Sequence, residues 1–125
     1  MTASPPTLDL APALVVLPGP RAGYADGGGE GRMLRAPDAR DLMEHGPVLV
    51  AHAAMTAKRL NLHAPARSGR LFDVLELYAF TRPATFCAPS AVGLSMALGL
   101  AEPKGAAEQA ASLRISADAL LAELR

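Results

Sequence analysis

The sequence predicts a small domain of the α/β (α+β) class, with antiparallel N-terminal strands, one buried strand and four to five helices. Three observations predict it. β-prone segments separated by Pro and Gly come first, a continuous apolar run follows, and apolar residues at helical spacing occupy the second half. A chain of 125 residues is long enough for one modest core. Aromatic residues make up only 4% of it, so this core has to consist mainly of Ala, Leu, Val and Met.

The first predicted elements are three short strands that form an antiparallel meander. They span residues 13–17, 21–25 and 32–35 and are separated by Pro-Gly-Pro and Asp-Gly-Gly-Gly turns. The triple glycine at 27–29 lacks the GxxxxGK[ST] pattern of a phosphate-binding loop and has no helix directly after it. It is therefore interpreted as a turn.

A helix and a buried strand follow the meander. The helix is predicted from Pro37 to about His45, where Gly46 and the next proline end it. The run PVLVA at 47–51 is apolar throughout and is bounded by a breaker, which favours a strand covered on both faces. A second helix is predicted over 53–60.

Capping residues mark the later helices. Asp73 is predicted to cap a third helix, with Glu76 at its N3 position, and Pro83 to end it. Ser90 caps a fourth helix that ends at Gly99. Helical spacing then continues through the last twenty residues, as one helix or two in line. The side chains expected in the core are Val48, Leu49, Val50, Leu75, Tyr78, Leu94, Leu98 and Leu121.

Composition limits the possible partners and the compartment. Basic and acidic residues both number 12, so no global field attracts nucleic acid or an anionic membrane. Cys87 is the single cysteine, which excludes an internal disulfide, and its simplest role is a small apolar filler. No apolar run is long enough to span a membrane and no signal peptide is visible, so a cytoplasmic location is expected. Residues 1–12 are expected to be flexible and 13–125 to form the domain.

The acidic residues are dispersed along the chain. Metal-dependent nuclease chemistry needs several carboxylates that converge on two ions, and each acidic residue here has a simpler role as a helix cap or a solvated charge. One hypothesis is nevertheless a divergent metal-dependent 3'-5' exonuclease in which three carboxylates converge unexpectedly. They would be Asp41, Asp73 and Asp118.

The other polar residues give weak signals for chemistry. His45, His52 and His63 have no partner at i+4 and no nearby metal-ligand pattern, although His52 directly follows the predicted buried strand. Ser90 and Ser95 lack the GxSxG elbow of a hydrolase. No catalytic or metal-binding residue is assigned.

A modest basic cluster surrounds the loop after the second predicted helix. It consists of Lys58, Arg59, Arg67 and Arg70, the candidate nucleic-acid contacts of this chain. No aromatic residues are interleaved with it, so the signal for single-stranded nucleic acid is weak, and a solvated surface is the simpler interpretation.

Residues 47–100 resemble the middle of a DEDD-type exonuclease domain of the ribonuclease H-like fold. That family has a strand leading into H-N-x-x-F-D, then a D-T-L-E-L helix ending near a proline, and then an S-x-x-x-L-x-x-x-L-G-L helix. The matching segments are VLVAHAAMTAKRL at 48–60, LFDVLELYAFTRP at 71–83 and SAVGLSMALGL at 90–100.

The departures from this family fall on its metal ligands. His52 holds the motif's histidine position, Ala53 replaces the usual asparagine, and Thr56 is assigned to the position of the metal-binding aspartate. Asp73 matches an aspartate that is mainly structural in the family. The first motif, D-x-E, and the last, H-x-x-x-x-D, have no counterpart. The resemblance thus implies a degenerate exonuclease-like domain without a two-metal mechanism.

A narrower resemblance is to the N-terminal region of alphaproteobacterial DinG-type ATP-dependent DNA helicases. It is carried by FDVLELYAFTRPATFCAPSAVGLSMALGL at 72–100. It implies a non-catalytic accessory domain from a longer helicase acting in DNA repair, with the helicase core in cis and single-stranded DNA as partners. ATP, Mg²⁺ and an iron-sulfur cluster would belong to the parent helicase, and no cofactor to this chain. A free-standing small binding protein is the remaining hypothesis, with the last helix as its docking surface.

Overall fold

The computed structural model describes residues 11–19, 21–26, 30–62 and 70–124. The predicted flexible segment 1–12 lies outside them except for Ala11 and Pro12. Ala11 is fully buried, and the Pro12 carbonyl accepts a hydrogen bond from the Leu49 N–H at 2.8 Å. These two residues therefore belong to the packed domain, contrary to the prediction. The glycine turn at 27–29 lies outside the described residues.

The described chain contains five strands and five helices. They are β1 Ala13–Leu17, β2 Arg21–Ala25, β3 Gly31–Leu34, α1 Ala36–His45, β4 Val48–Val50, α2 Ala53–Arg59, β5 Leu71–Asp73, α3 Val74–Thr81, α4 Ala91–Ala97 and α5 Gly105–Glu123. The predicted α/β class is confirmed, as are the N-terminal meander and the buried strand.

The strands form one mixed sheet in the order β3-β2-β1-β4-β5. β1 and β2 pair antiparallel, as do β2 and β3, whereas β1, β4 and β5 are mutually parallel. β2 therefore runs opposite to the other four strands. β5 was not predicted. It has only three residues, all partly exposed, and its pairing with β4 is a contact distant in sequence, which leaves no local periodicity to detect.

Helices cover both faces of the sheet, because the inner strands alternate buried side chains between two cores. Ala13 and Val15 of β1 pack with α3, α4 and α5, whereas Leu14 and Val16 pack with α1 and α2. β4 divides in the same way, with Leu49 in the first core and its two neighbours in the second. Its continuous apolar run is thus explained by burial on both faces.

The predicted core is largely confirmed. Val48, Leu49, Val50, Tyr78 and Leu94 are buried. Three leucines that were also predicted to be in the core, Leu75, Leu98 and Leu121, are only half-buried and lie at its margin.

The last helix is a single continuous element that packs closely across β1, β2 and β3. Its buried stripe consists of small and branched side chains, including Ala106, Ala110 and Leu113. A Cβ atom added at Gly23 would overlap the Ala106 carbonyl, and one added at Gly31 would overlap the Ala107 carbonyl. The two glycines therefore allow the helix backbone to approach the sheet.

The described helix ends agree with the predicted capping signals. The Ser90 hydroxyl accepts the Gly93 N–H at 2.9 Å, and Gly99 adopts φ +75° just beyond α4. Ser95 of α4 and Ser112 of α5 are both buried and hydrogen-bond to each other, which joins these two helices.

Candidate functional site

A cleft opens at the carboxyl ends of the parallel strands β1 and β4. It has a volume of about 190 Å³. Ligands of open α/β sheets bind in such crevices outside the carboxyl ends of the strands. The cleft is lined by Leu14, Val15, Val16, Leu17, Ala51, His52, Met55, Thr56, Arg59, Pro89, Ser90, Ala91 and Gln109. The walls are thus formed by β1 and the end of β4, one side of α2, the first turn of α4 and one side of α5.

Asp73 fixes the chain beside this cleft. One carboxylate oxygen accepts the N–H groups of His52 at 3.1 Å and Leu75 at 3.0 Å, and the other accepts the Ala53 N–H at 2.8 Å. A half-buried carboxylate thus caps α3 and also holds the junction between β4 and α2. The predicted cap is confirmed, but Glu76 makes no side-chain hydrogen bond within the described chain, so the capping box is only half formed.

His52 begins α2 in a strained backbone conformation. Its φ of 67° lies in the left-handed region, which is uncommon for a residue with a side chain. Its ring Nδ1 accepts the Met55 N–H at 3.2 Å, and its carbonyl accepts the Thr56 hydroxyl at 3.1 Å. The bond from its own N–H to Asp73 helps to hold this conformation.

The four degenerate motif positions therefore lie together: His52, Ala53, Thr56 and Asp73 all contribute to the junction that leads into α2. The spacing needs one correction. Counted from His52, the aspartate of H-N-x-x-F-D falls at Ala57, one residue beyond the Thr56 that was assigned to it. Thr56 and Ala57 are both buried, and neither carries a carboxylate.

The predicted basic cluster is divided by the fold. The Arg59 guanidinium lies in the cleft, where its Nη1 donates to the Val16 carbonyl at 2.7 Å. Arg70 is at the amino ends of β4 and β5 and donates to the His45 carbonyl at 2.8 Å. Lys58 is exposed and does not line the cleft, and Arg67 lies outside the described residues.

The three carboxylates of the exonuclease hypothesis do not converge. Asp41 is on α1, where it pairs with His45 at 3.1 Å, and Asp118 is on α5, where it accepts from Arg114 at 2.9 Å. These helices cover opposite faces of the sheet. Within the described ranges no three His, Cys, Asp or Glu side chains lie close enough to hold a metal ion. The proposed triad is therefore wrong. His63 lies outside the described residues.

An ion pair links α3 to the end of α5, away from the cleft. The Arg82 guanidinium donates two hydrogen bonds to Glu123, at 3.2 and 2.7 Å. These bonds lower the pKa of the Glu123 carboxyl and raise the pKa of Arg82. Burial against the first core cluster raises the pKa of the Cys87 thiol, which disfavours the reactive thiolate and agrees with its interpretation as an apolar filler.

Sequence reasoning missed part of the cleft wall. Gln109 and Met55 were not singled out, and Ser90 was interpreted only as a cap, which it also is. No local signal identifies Gln109, because it reaches the cleft only through the packing of α5 across β1 and β2.

Comparisons with known proteins neither name nor exclude a function. No family model, no curated protein and no solved structure matches this chain. None of the described helices is long and apolar enough to cross a membrane.

Proposed function

We propose that this chain is a non-catalytic, exonuclease-like accessory domain of a DinG-type ATP-dependent DNA helicase. It acts through contacts with DNA or with the helicase core in cis, in the cytoplasm and in the context of DNA repair. The observation that carries the proposal is a cleft at the carboxyl ends of β1 and β4 whose lining, among the described residues, includes an arginine and no carboxylate.

The sheet supports the resemblance on which this proposal rests. The mixed five-stranded sheet, in the order β3-β2-β1-β4-β5 with only β2 reversed, has the α/β class that this resemblance implies. The three segments that carry the resemblance contribute β4 with α2, β5 with α3, and α4, and the first and third of them border the cleft. Two of the three segments that carry the resemblance thus meet at one cleft.

The residues present do not fit the two metal ions of an active exonuclease. β1, where the family places D-x-E, contributes only Leu14, Val15, Val16 and Leu17 to the cleft. The two carboxylate oxygens of Asp73 already accept hydrogen bonds from three backbone N–H groups. The Arg59 guanidinium adds a positive charge that repels a divalent cation. Two metal ions would need carboxylate ligands that converge here, and the described lining of the cleft offers none.

Two measurements test this proposal. The whole chain, incubated with Mg²⁺ or Mn²⁺ and labelled single- or double-stranded DNA, should release no nucleotides, and metal-dependent shortening from the 3' end would contradict the non-catalytic role. The genomic sequence after the Arg125 codon should continue in frame into GKT and DEAH motifs. A stop codon at that point would contradict the helicase assignment and favour a free-standing binding protein.

One surface favours protein contact as the second mode of action. Phe86 and Met96 are exposed and line the same shallow pocket beside α4, and Phe86 is 86% exposed. Large apolar side chains exposed in one region mark interaction surfaces more often than single ones do. Ile115 and Leu124 of the last helix are also exposed, as the docking hypothesis requires.

A further inference from the structure

We propose that the cleft at the ends of β1 and β4 is a metal-independent binding site for a phosphate group. This inference deepens the non-catalytic role proposed above, on which it rests, by naming the chemistry that the cleft recognises. The cleft combines a cation, several neutral donors and an apolar wall, and none of the described residues that line it is acidic.

Arg59 supplies the charge. A guanidinium has five N–H donors, and only one of these bonds, to the Val16 carbonyl, is formed within the described residues. Arg59 has no carboxylate partner in that part of the chain, and it is half-buried rather than fully solvated. The bond to β1 orients the guanidinium in the cleft. A positioned arginine of this kind matches the geometry of phosphate oxygens.

The neighbouring polar groups are donors as well. Nδ1 of His52 accepts the Met55 N–H, so the neutral ring carries its proton on Nε2 and can donate it. The Ser90 oxygen accepts the Gly93 N–H, which leaves the hydroxyl proton for a ligand. Gln109 adds an amide on the opposite wall. Donors without competing carboxylates favour an anion over a cation.

The dimensions limit the size of the ligand. A volume of about 190 Å³ is below the roughly 300–1,000 Å³ of pockets that enclose a drug-sized molecule. It suffices for a phosphate with part of an attached sugar. Leu17, Met55 and Pro89 provide apolar contacts for that sugar. Free phosphate and the phosphorylated end of a nucleic-acid strand share the chemistry that the donors recognise.

Calorimetric titration of the whole chain in EDTA and low salt tests the site. The probes are inorganic phosphate, a 5'-phosphorylated oligothymidylate, a 3'-phosphorylated one and an unphosphorylated one. Arg59→Ala and Gln109→Glu should each weaken phosphate binding about tenfold or more, because one removes a charged donor and the other places a carboxylate on the wall. Arg40→Ala removes an exposed positive charge from α1, outside the cleft, and should change the affinity for phosphate less than about twofold.

Arg59→Ala also removes a bond to β1, so circular dichroism must show that each variant is folded. Gln109→Glu keeps the side-chain shape and tests the site should Arg59→Ala unfold. Tighter binding of a phosphorylated oligonucleotide than of inorganic phosphate identifies a strand end as the ligand, and equal binding identifies free phosphate. Both outcomes support the site.

Three results would overturn the phosphate site. The first is no binding by the folded wild-type chain in EDTA, and the second is binding that appears only when Mg²⁺ replaces the EDTA. The third is equal weakening of phosphate binding by Arg40→Ala and Arg59→Ala. These results do not depend on the nuclease assay or on the reading frame after the Arg125 codon. The phosphate site can therefore be refuted while the accessory-domain proposal stands.

Discussion

Replacing Asp73 by alanine should destabilise the fold more than any other substitution of a partly exposed carboxylate described here. The carboxylate accepts three backbone N–H groups, two at the β4–α2 junction and one at the start of α3. A hydrogen bond to a charged group contributes about 1.5–3 kcal/mol. Water can reach this half-buried site and replace part of this hydrogen-bond energy. We therefore expect Asp73→Ala to lower the free energy of unfolding by about 3–5 kcal/mol, out of the about 5–15 kcal/mol that is typical of a domain.

Urea denaturation followed by circular dichroism measures this loss, with the slope of the transition unchanged if the native state keeps its compactness. Asp73→Asn should lose about 2 kcal/mol, because one oxygen still accepts while the new NH₂ group faces an N–H donor. Asp41→Ala is the matched control. Its side chain is 77% exposed and pairs only within α1, so its loss should stay below about 0.5 kcal/mol. A loss below about 1 kcal/mol for Asp73→Ala would refute the three-bond account.

Two further substitutions test the packing around α4 and α5. Leu94 of α4 is fully buried in the core that α4 shares with α5, so Leu94→Ala should lower the free energy of unfolding by about 2–5 kcal/mol in urea, and a change below about 0.5 kcal/mol would show that α4 is not packed as described. Gly23→Ala should destabilise by about 1–3 kcal/mol or more, because its methyl group would overlap the Ala106 carbonyl. A gain in stability, as alanine ordinarily gives over glycine within a strand, would show that α5 does not approach β2 so closely.

Local chemistry made several elements predictable. Ser90 and Asp73 were assigned as caps because their short side chains can reach the free N–H groups of a helix start, and both make those bonds. The apolar run of β4 indicated a doubly covered strand because burial on both faces leaves no polar positions. Such features depend on neighbours within a few residues, which the sequence displays directly.

The site was harder to predict than the fold. Arg59 was singled out for its charge, but its sequence neighbours suggested a cluster with Arg70, and the fold places these two arginines at different ends of the parallel strands. Ala53 and His52 were recognised through a family motif, whereas Gln109 had no motif to mark it. Side chains that meet through packing between distant elements leave no spacing in the sequence.

The sequence by itself determined the α/β class, the meander, the caps and the lack of a metal-ligand pattern, because each follows from periodicity, turn chemistry or residue type. Only the tertiary structure decided that β5 pairs with β4, that α5 crosses the glycines of β2 and β3, and that Arg59 enters a cleft whose described lining carries no carboxylate. The physical reason is that strand pairing and helix docking are set by burial and close approach between segments far apart in the chain, where local propensity is weak.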